Sequence, residues 1–224
     1  MTTLTDHQTT PATTPSLAVR VMRNAANFFS FILSPLLGPT FAIIIAWNST
    51  VMLLLPTGTM RTLTLVVFGL TCLFPMVAIG IMYKMGIVSD PGLNSRRERT
   101  LPFAVSAAGY VACLVFLHHI HSPWWITMFM AGGLLALVIA ALVNLRWKIS
   151  IHLTAMGGLV AFVVRLITEH LAMVNGQSWL IATIVAAGLV GSSRLLLNRH
   201  TPMQVLAGSA NGFLCVYLMM GITY

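Results

Sequence analysis

Seven long runs of apolar residues are separated along the chain by short polar connections. Each run approaches the ~20 residues that an apolar helix needs to cross the hydrocarbon core of a bilayer. Because Pro35 and Pro39 interrupt the first run, it is either a kinked span or a shallow re-entrant segment. The pattern predicts an all-α integral membrane protein, a transmembrane bundle of six or seven helices. The runs are Ala26–Trp47, Thr59–Tyr83, Leu101–Ile120, Trp124–Leu145, Ile151–Val174, Trp179–Leu197 and Val205–Ile222.

The composition agrees with burial in a membrane. Hydrophobic residues make up 58% of the 224 residues and charged residues only 7%, whereas soluble domains carry about 25% charged residues. So few charges cannot cover a surface that faces water, and bilayer lipids are therefore expected around most of the chain. Residues 1–24 are predicted to be a polar, disordered N-terminal segment, and residues 25–224 a single transmembrane domain.

The positive charges are unevenly distributed. The formal net charge is +8, and most Arg and Lys residues lie in the connections at residues 89–102, 145–152 and 193–204. Seven crossings would place these three connections on one face together with the N-terminus. The positive-inside rule assigns that face to the cytoplasm, which predicts a multi-pass protein, most simply of a bacterial inner membrane. Since topology or an anionic ligand explains the cations, no nucleic-acid partner is expected; the oligomeric state is left open.

Two smaller clusters have structural explanations. His118, His119 and His121 form either a metal site or an interfacial belt, and the belt is favoured because no carboxylate or cysteine accompanies them. We therefore expect neither a metal nor a cofactor. Arg165 and Glu169 are four residues apart on an apolar run, a spacing that predicts an ion pair along one helix.

The three cationic connections together suggest an anion site. Each supplies Arg, Lys or His at the same end of the predicted bundle, and Arg forks and Lys point charges bind phosphate oxygens. Arg194 lies one turn inside the sixth run, and His152 opens the fifth. Ionisable residues at such membrane positions are costly and usually functional, so the sequence predicts a phosphate site at the mouth of the bundle.

The connection before the last run carries a recognisable motif. Ser193 and Arg194, followed after five residues by His200, match the Ser-Arg-x5-His part of the third motif of the type 2 phosphatidic acid phosphatases, the PAP2 superfamily of membrane lipid phosphatases. Gln204 stands where that motif has Asp. The chain resembles the superfamily from about residue 90 to residue 212, and the resemblance implies a PAP2-like helical core.

The two other motifs of the superfamily are kept less well. Ser150 and His152 match two positions of the second motif, Pro-Ser-Gly-His, whereas Ile149 and Ile151 replace its Pro and Gly. Of the first motif, Lys-x6-Arg-Pro, only Arg residues ahead of Pro102 remain.

The resemblance also implies a role for each residue. His200 would attack phosphorus and form a phosphohistidine, and His152 would protonate the leaving oxygen and then activate water. Gln204 would orient the far nitrogen of His200 without supplying a charge, unless Asp90 or Glu98 takes that role. The expected phosphate-binding residues are Arg194, Arg97, Arg99 and Ser150, together with Lys148, which matches no family position.

The function expected from this resemblance is hydrolysis of a lipid phosphate or diphosphate. Candidate substrates are phosphatidic acid, phosphatidylglycerophosphate and polyprenyl diphosphate. One alternative is a non-catalytic lipid-binding or transport protein on the same fold. A less favoured alternative is a magnesium-dependent intramembrane prenyltransferase, which would need clustered Asp residues on two loops, whereas the membrane body offers only Asp90, Glu98 and Glu169.

Overall fold

The structure is a computed structural model that describes residues 16–90 and 95–222. All regular secondary structure in these residues is helical, which confirms the predicted fold class. Short 3-10 or π segments lie at Pro35–Leu37, Val51–Leu54, Gly69–Leu73 and Arg97–Arg99. The α-helices are α1 (Leu17–Ile32), α2 (Gly38–Ser49), α3 (Thr57–Phe68), α4 (Phe74–Lys84), α5 (Thr100–His119), α6 (Trp124–Asn144), α7 (Ile151–Thr168), α8 (Gly176–Leu196) and α9 (Pro202–Met220).

Seven helical stretches of the described residues are long and apolar enough to cross a membrane. Their bounds agree with the predicted runs to within a few residues, except at the start of the first and the end of the fifth. The stretches are Leu17–Ser49, Thr57–Lys84, Thr100–His119, Trp124–Asn144, Ile151–Thr168, Gly176–Leu196 and Pro202–Met220.

The first stretch is kinked. Helix α1 ends at Ile32, and α2 begins only after the 3-10 turn that starts at Pro35, since a proline supplies no backbone N–H and restricts the residue before it. Helix α1 begins at Leu17, where the Ser16 side chain accepts a hydrogen bond from the Val19 N–H. The prediction that residues 1–24 are disordered is therefore wrong for residues 17–24, because the Ser16 cap starts a helix there; residues 1–15 lie outside the described residues.

The second stretch contains a π-helical turn at its centre. The turn at Gly69–Leu73 lies just before Pro75, which opens α4. Widening the helix here accommodates a proline that cannot donate to the residue four positions earlier. Gly109 of α5 lies directly against the carbonyl of Leu70 in this turn, so this side of the turn is packed against α5, whereas Leu73 is 44% exposed.

Helix α7 ends earlier than the apolar run predicts. It stops at Thr168, and His170 takes the left-handed backbone conformation that commonly closes a helix. Arg165 and Glu169 form the predicted ion pair at 2.7 Å. Arg165 also donates to the carbonyl of Tyr217 at 2.9 Å and lies over that ring, which ties the end of α7 to α9.

Helices α7 and α9 pack closely through small residues. Gly157 lies against the backbone of Ser209, and Gly212 against the carbonyl of Thr154, where a Cβ atom would overlap it. Small residues allow such approach of membrane helices. At the cationic end, the Ser150 N–H donates to the Gln204 carbonyl at 3.3 Å, so the start of α7 is fixed beside the start of α9.

The three cationic connections meet at one end of the bundle, as predicted. Arg99, from the connection before α5, donates to the carbonyl of Ile149 before α7 at 3.3 Å. Asn144, at the end of α6, donates to the carbonyl of Arg96 at 3.0 Å. These contacts join the first two connections, and the Ser150–Gln204 bond adds the third.

Candidate functional site

A cavity of about 790 Å³ opens among the cationic connections and extends into the bundle. Both predicted histidines line it, and therefore lie on the same side of the protein. The acidic and basic residues that line it come from all three cationic connections. They are Asp90, Arg99, His152, Arg194, Arg199 and His200.

His200 is held by the turn between α8 and α9. Helix α8 ends at Leu196, Asn198 adopts a left-handed backbone conformation, and Pro202 opens α9. This break in the helix lets His200 and Arg194 line the same cavity although they are six residues apart. His200 is only 8% exposed.

Gln204 fixes the orientation and tautomer of His200. Its Oε1 lies 3.1 Å from His200 Nδ1 and also accepts a hydrogen bond from the Thr201 N–H at 3.3 Å. The Thr201 N–H can only donate, so the Gln204 atom at this place is the oxygen. An amide oxygen can only accept, so Nδ1 carries the proton and Nε2 keeps its lone pair.

His152 is held by an element that no motif indicated. Its Nε2 lies 3.2 Å from the backbone carbonyl of Ser30 in α1. Because a carbonyl only accepts, Nε2 must carry a proton, and Nδ1 is the nitrogen left for proton exchange. Helix α1 therefore orients His152 in the same way that Gln204 orients His200.

The cations differ in how they are held. Arg194 is 8% exposed, and within the described residues its buried Nε has no hydrogen-bond partner. Arg99 is 5% exposed, and Lys148 is half-buried and is not among the described residues that line the cavity. Burial lowers the pKa of Arg99, and burial together with Arg99, Arg194 and Arg199 lowers the pKa of Lys148.

The same environment acts on His200. Burial, and next the positive charge of Arg194, lower the pKa of His200 to about 4, although the hydrogen bond to Gln204 opposes the shift. His200 is therefore a neutral imidazole near pH 7. A neutral imidazole with a free Nε2, beside buried cations, can attack an electrophile whose negative charge those cations hold.

Some predicted residues lie elsewhere. Ser150 is fully buried against Gly208 and is absent from the described residues that line the cavity, so its phosphate contact stays a prediction. The side chain of Arg97 lies outside the described part of the structure. Glu98 accepts hydrogen bonds from Ser89 at 2.9 Å, whereas Gln204 itself contacts His200.

Two residues that line the cavity were not among the predicted site residues. Arg199 lines the cavity, although its position in a loop is equally typical of a topology signal; its place next to His200 was the available clue. Ser30 also lines the cavity, and its hydroxyl is buried without a partner in the described residues. Nothing local in the sequence marks Ser30, because its contact with His152 spans 122 positions.

Comparison with known proteins gives one match. The model of the PAP2 superfamily matches residues 144–224. No curated protein and no solved structure matches the chain. The matched region contains His152, Arg194, His200 and Gln204, whereas Ser30 and Arg99 lie before it.

Proposed function

We propose that the protein is a metal-independent lipid-phosphate phosphatase that works through a phosphohistidine, and the match of residues 144–224 to the model of the PAP2 superfamily supports this. The observation that carries the proposal is the state of His200. Its Nδ1–H donates to Gln204, and its unprotonated Nε2 belongs to a ring that lines a cation-rich cavity together with His152. A single phosphoryl group at this end of the cavity would meet a nucleophile, a proton carrier and two buried guanidinium groups.

The chemistry divides into two displacements. In the first, Nε2 of His200 bonds to phosphorus as the bond from phosphorus to the lipid oxygen breaks, and a protonated His152 gives that oxygen its proton. In the second, His152 takes a proton from water, whose oxygen displaces His200 from phosphorus and releases inorganic phosphate. Arg194 and Arg99 would hold the phosphoryl oxygens in both steps.

The lipid would approach from the membrane. Its charged head would lie at the cationic end of the cavity and its tail in the apolar part between the helices. Phosphatidic acid, phosphatidylglycerophosphate and polyprenyl diphosphate all fit this description of the head. We place the protein in a bacterial inner membrane, with the site on the cytoplasmic face that the positive-inside rule favours.

Phosphate release from a panel of lipid phosphates tests the proposal directly. The purified protein is assayed in detergent with EDTA, so that a magnesium-dependent reaction is suppressed. We expect release by the wild type and none by His200→Ala, with binding of the lipid retained because Arg194 and Arg99 remain. His118→Ala is the matched control, since His118 is exposed at the other end of α5. Wild-type turnover by His200→Ala would refute the phosphohistidine.

Gln204 supports a second candidate function. An amide orients the nucleophile but supplies no negative charge to stabilise a phosphorylated imidazolium. A non-catalytic protein that binds or transports lipid phosphates would need the cavity and its cations but no such charge. Binding of lipid phosphates without any phosphate release would favour this candidate.

A further inference from the structure

The cavity is open on one side of the bundle. Most of the described residues that line it are buried or half-buried, and four of them are exposed. Three of these four lie near the end of α1, and one lies in α4. They are Asn27, Phe31, Ile32 and Met76, and Phe31 is 79% exposed. The cavity therefore reaches the outside of the bundle between α1 and α4.

The first two helical stretches diverge on this side of the bundle. At the end opposite the cationic connections α2 packs against α3, and nearer the cationic end the 3-10 turn at Pro35–Leu37 packs against the π-helical turn at Gly69–Leu73. Beyond these turns α1 packs against α8 and α4 against α5, and the described residues show no comparable packing between α1 and α4. The two stretches therefore form a fork that opens towards the cationic end.

A proline lies at the base of each arm of this fork. Pro35 follows the end of α1, and Pro75 lies in the first turn of α4, directly after the π-helical turn. Prolines and π-helical turns interrupt regular helical hydrogen bonding and are the usual sites of kinks. The sequence therefore supplies a reason for α1 and α4 to separate at this level.

The edges of the gap between α1 and α4 change from polar to apolar. Asn27 lies one turn before Phe31, and the carbonyl of Ser30, between them, lies 3.2 Å from His152 Nε2. On the opposite arm, Met76 lines the cavity. The gap is therefore polar near His152 and apolar beside it.

We infer that the gap between α1 and α4 is a lateral portal, through which the tail of a bound lipid phosphate passes from the cavity into the bilayer. This inference rests on the proposed function for the identity of the head. The head binds among the cations, Asn27 lies near the junction of head and tail, and Phe31 and Met76 contact the tail. Because the tail continues into the bilayer, the portal fits a membrane-embedded lipid phosphate and serves no purpose for a water-soluble phosphate ester.

Blocking the gap tests the inference. Phe31→Cys and Met76→Cys each place a thiol on one arm of the fork, and pyrene maleimide attaches a bulky apolar group to it. The two ligands are dodecyl phosphate, which carries a tail, and inorganic phosphate, which does not. All measurements use detergent-purified protein with His200→Ala, in which dodecyl phosphate is not hydrolysed, and the affinity is obtained from ligand-induced thermal stabilisation.

Each gap variant has a matched control on its own helix. Phe28 of α1 is 58% exposed, Val77 of α4 is 51% exposed like Met76, and neither is among the described residues that line the cavity. Phe28→Cys and Val77→Cys are labelled in the same way. The His200→Ala protein without an added cysteine, treated with the same reagent, controls for the native cysteines, which are buried.

The expected result differs between the two ligands. Labelling at position 31 or 76 should weaken binding of dodecyl phosphate about tenfold or more, because the tail would have to displace the packed label. The affinity for inorganic phosphate should stay nearly the same, and labelling at position 28 or 77 should affect neither ligand.

Three outcomes would overturn the inference: unchanged binding of dodecyl phosphate in both gap variants, the same weakening at the control positions, or an equal loss for both ligands. If one gap variant fails to fold, the variant on the other arm decides. The measurement needs no turnover, so a blocked portal would support the inference even if the wild type released no phosphate, and an unaffected one would leave the phosphatase assay untouched.

Discussion

Replacing Gln204 by Glu tests how His200 is activated. Glu is isosteric with Gln, so one carboxylate oxygen can occupy the place of Oε1, 3.1 Å from His200 Nδ1 and 3.3 Å from the Thr201 nitrogen. The His200 Nδ1–H and the Thr201 N–H would therefore each keep a hydrogen-bond acceptor. Gln204 is also the third residue of the capping box that begins α9, where Glu is equally suitable.

The expected gain follows from the charge on the acceptor. A hydrogen bond between neutral groups contributes about 1 kcal/mol, and one that involves a charged group about 1.5–3 kcal/mol. His200 gains positive charge as its Nε2 bonds to phosphorus, so a carboxylate should stabilise the transition state by about 1–2 kcal/mol more than the amide does. This corresponds to roughly a tenfold increase in kcat. The low exposure of His200 keeps solvent screening small.

The change should also move the pH dependence in a defined direction. In the proposed mechanism the nucleophile is the neutral imidazole, so activity should be present above the pKa of His200, about 4, and should be lost as the pH falls through it. A carboxylate favours the protonated ring and raises this pKa. The acid limb of kcat/KM should therefore lie at higher pH in Gln204→Glu than in the wild type.

Phosphate release measured over a pH series checks both expectations. Gln177→Glu is the matched control, because it makes the same chemical change in the exposed first turn of α8 and lies far from His200 in the chain. A carboxylate near a helix N-terminus interacts favourably with the helix dipole, and any effect of this interaction on phosphate release should appear in both variants. An unchanged rate and an unchanged acid limb in a folded Gln204→Glu protein would refute the assigned role of Gln204.

Three further predictions concern other parts of the protein. Arg194→Ala should lower kcat/KM about 10–100-fold through lost charged hydrogen bonds, measured by phosphate release, whereas Arg146→Ala in an exposed loop should change it little. Gly212→Ala should lower the free energy of unfolding by about 1–3 kcal/mol through overpacking against α7, whereas Gly188→Ala, the same change at an uncrowded position, should show no such loss in thermal unfolding. Ser95→Cys should resist an impermeant thiol reagent in intact cells if the site is cytoplasmic, and labelling would place the site outside; the three native cysteines are buried.

Most of the fold could be predicted because each membrane helix corresponds to one continuous apolar run, which can be recognised without knowing its tertiary contacts. Apolar length alone located all seven spans, since the bilayer rather than tertiary contact determines which segments cross it. The errors lie where a short polar signal outweighs apolar length. With Ser16 as its cap, α1 begins nine residues before the first predicted run. Helix α7 ends at Thr168, just before the left-handed His170, although the predicted run continues to Val174.

Part of the site was predictable for a similar reason. Arg194, His200 and Gln204 lie within eleven consecutive residues, and Pro202 marks the break that brings the first two to one cavity. A motif records such spacing, and local rules predict the turn. The contact between Tyr110 of α5 and Gly133 of α6, which both line the cavity, carries no comparable signal, because it depends on helix rotation, which apolar runs do not determine.

The family model matches only residues 144–224, whereas residues before this range also line the cavity. This difference has a physical reason. Residues 144–224 contain His200, His152 and Arg194, the proposed nucleophile, acid–base residue and phosphate ligand, whose spacing along the chain can be recognised. The proton on His152 Nε2, however, is fixed by the carbonyl of Ser30, and any residue presents the same carbonyl. Such a contact cannot be recognised from the identity of the residue at position 30, and it requires only that α1 be held in place. The chemistry proposed for the matched region therefore depends on a helix that no motif identifies, and substitutions that detach α1 should alter the pH dependence of turnover without changing any proposed catalytic side chain.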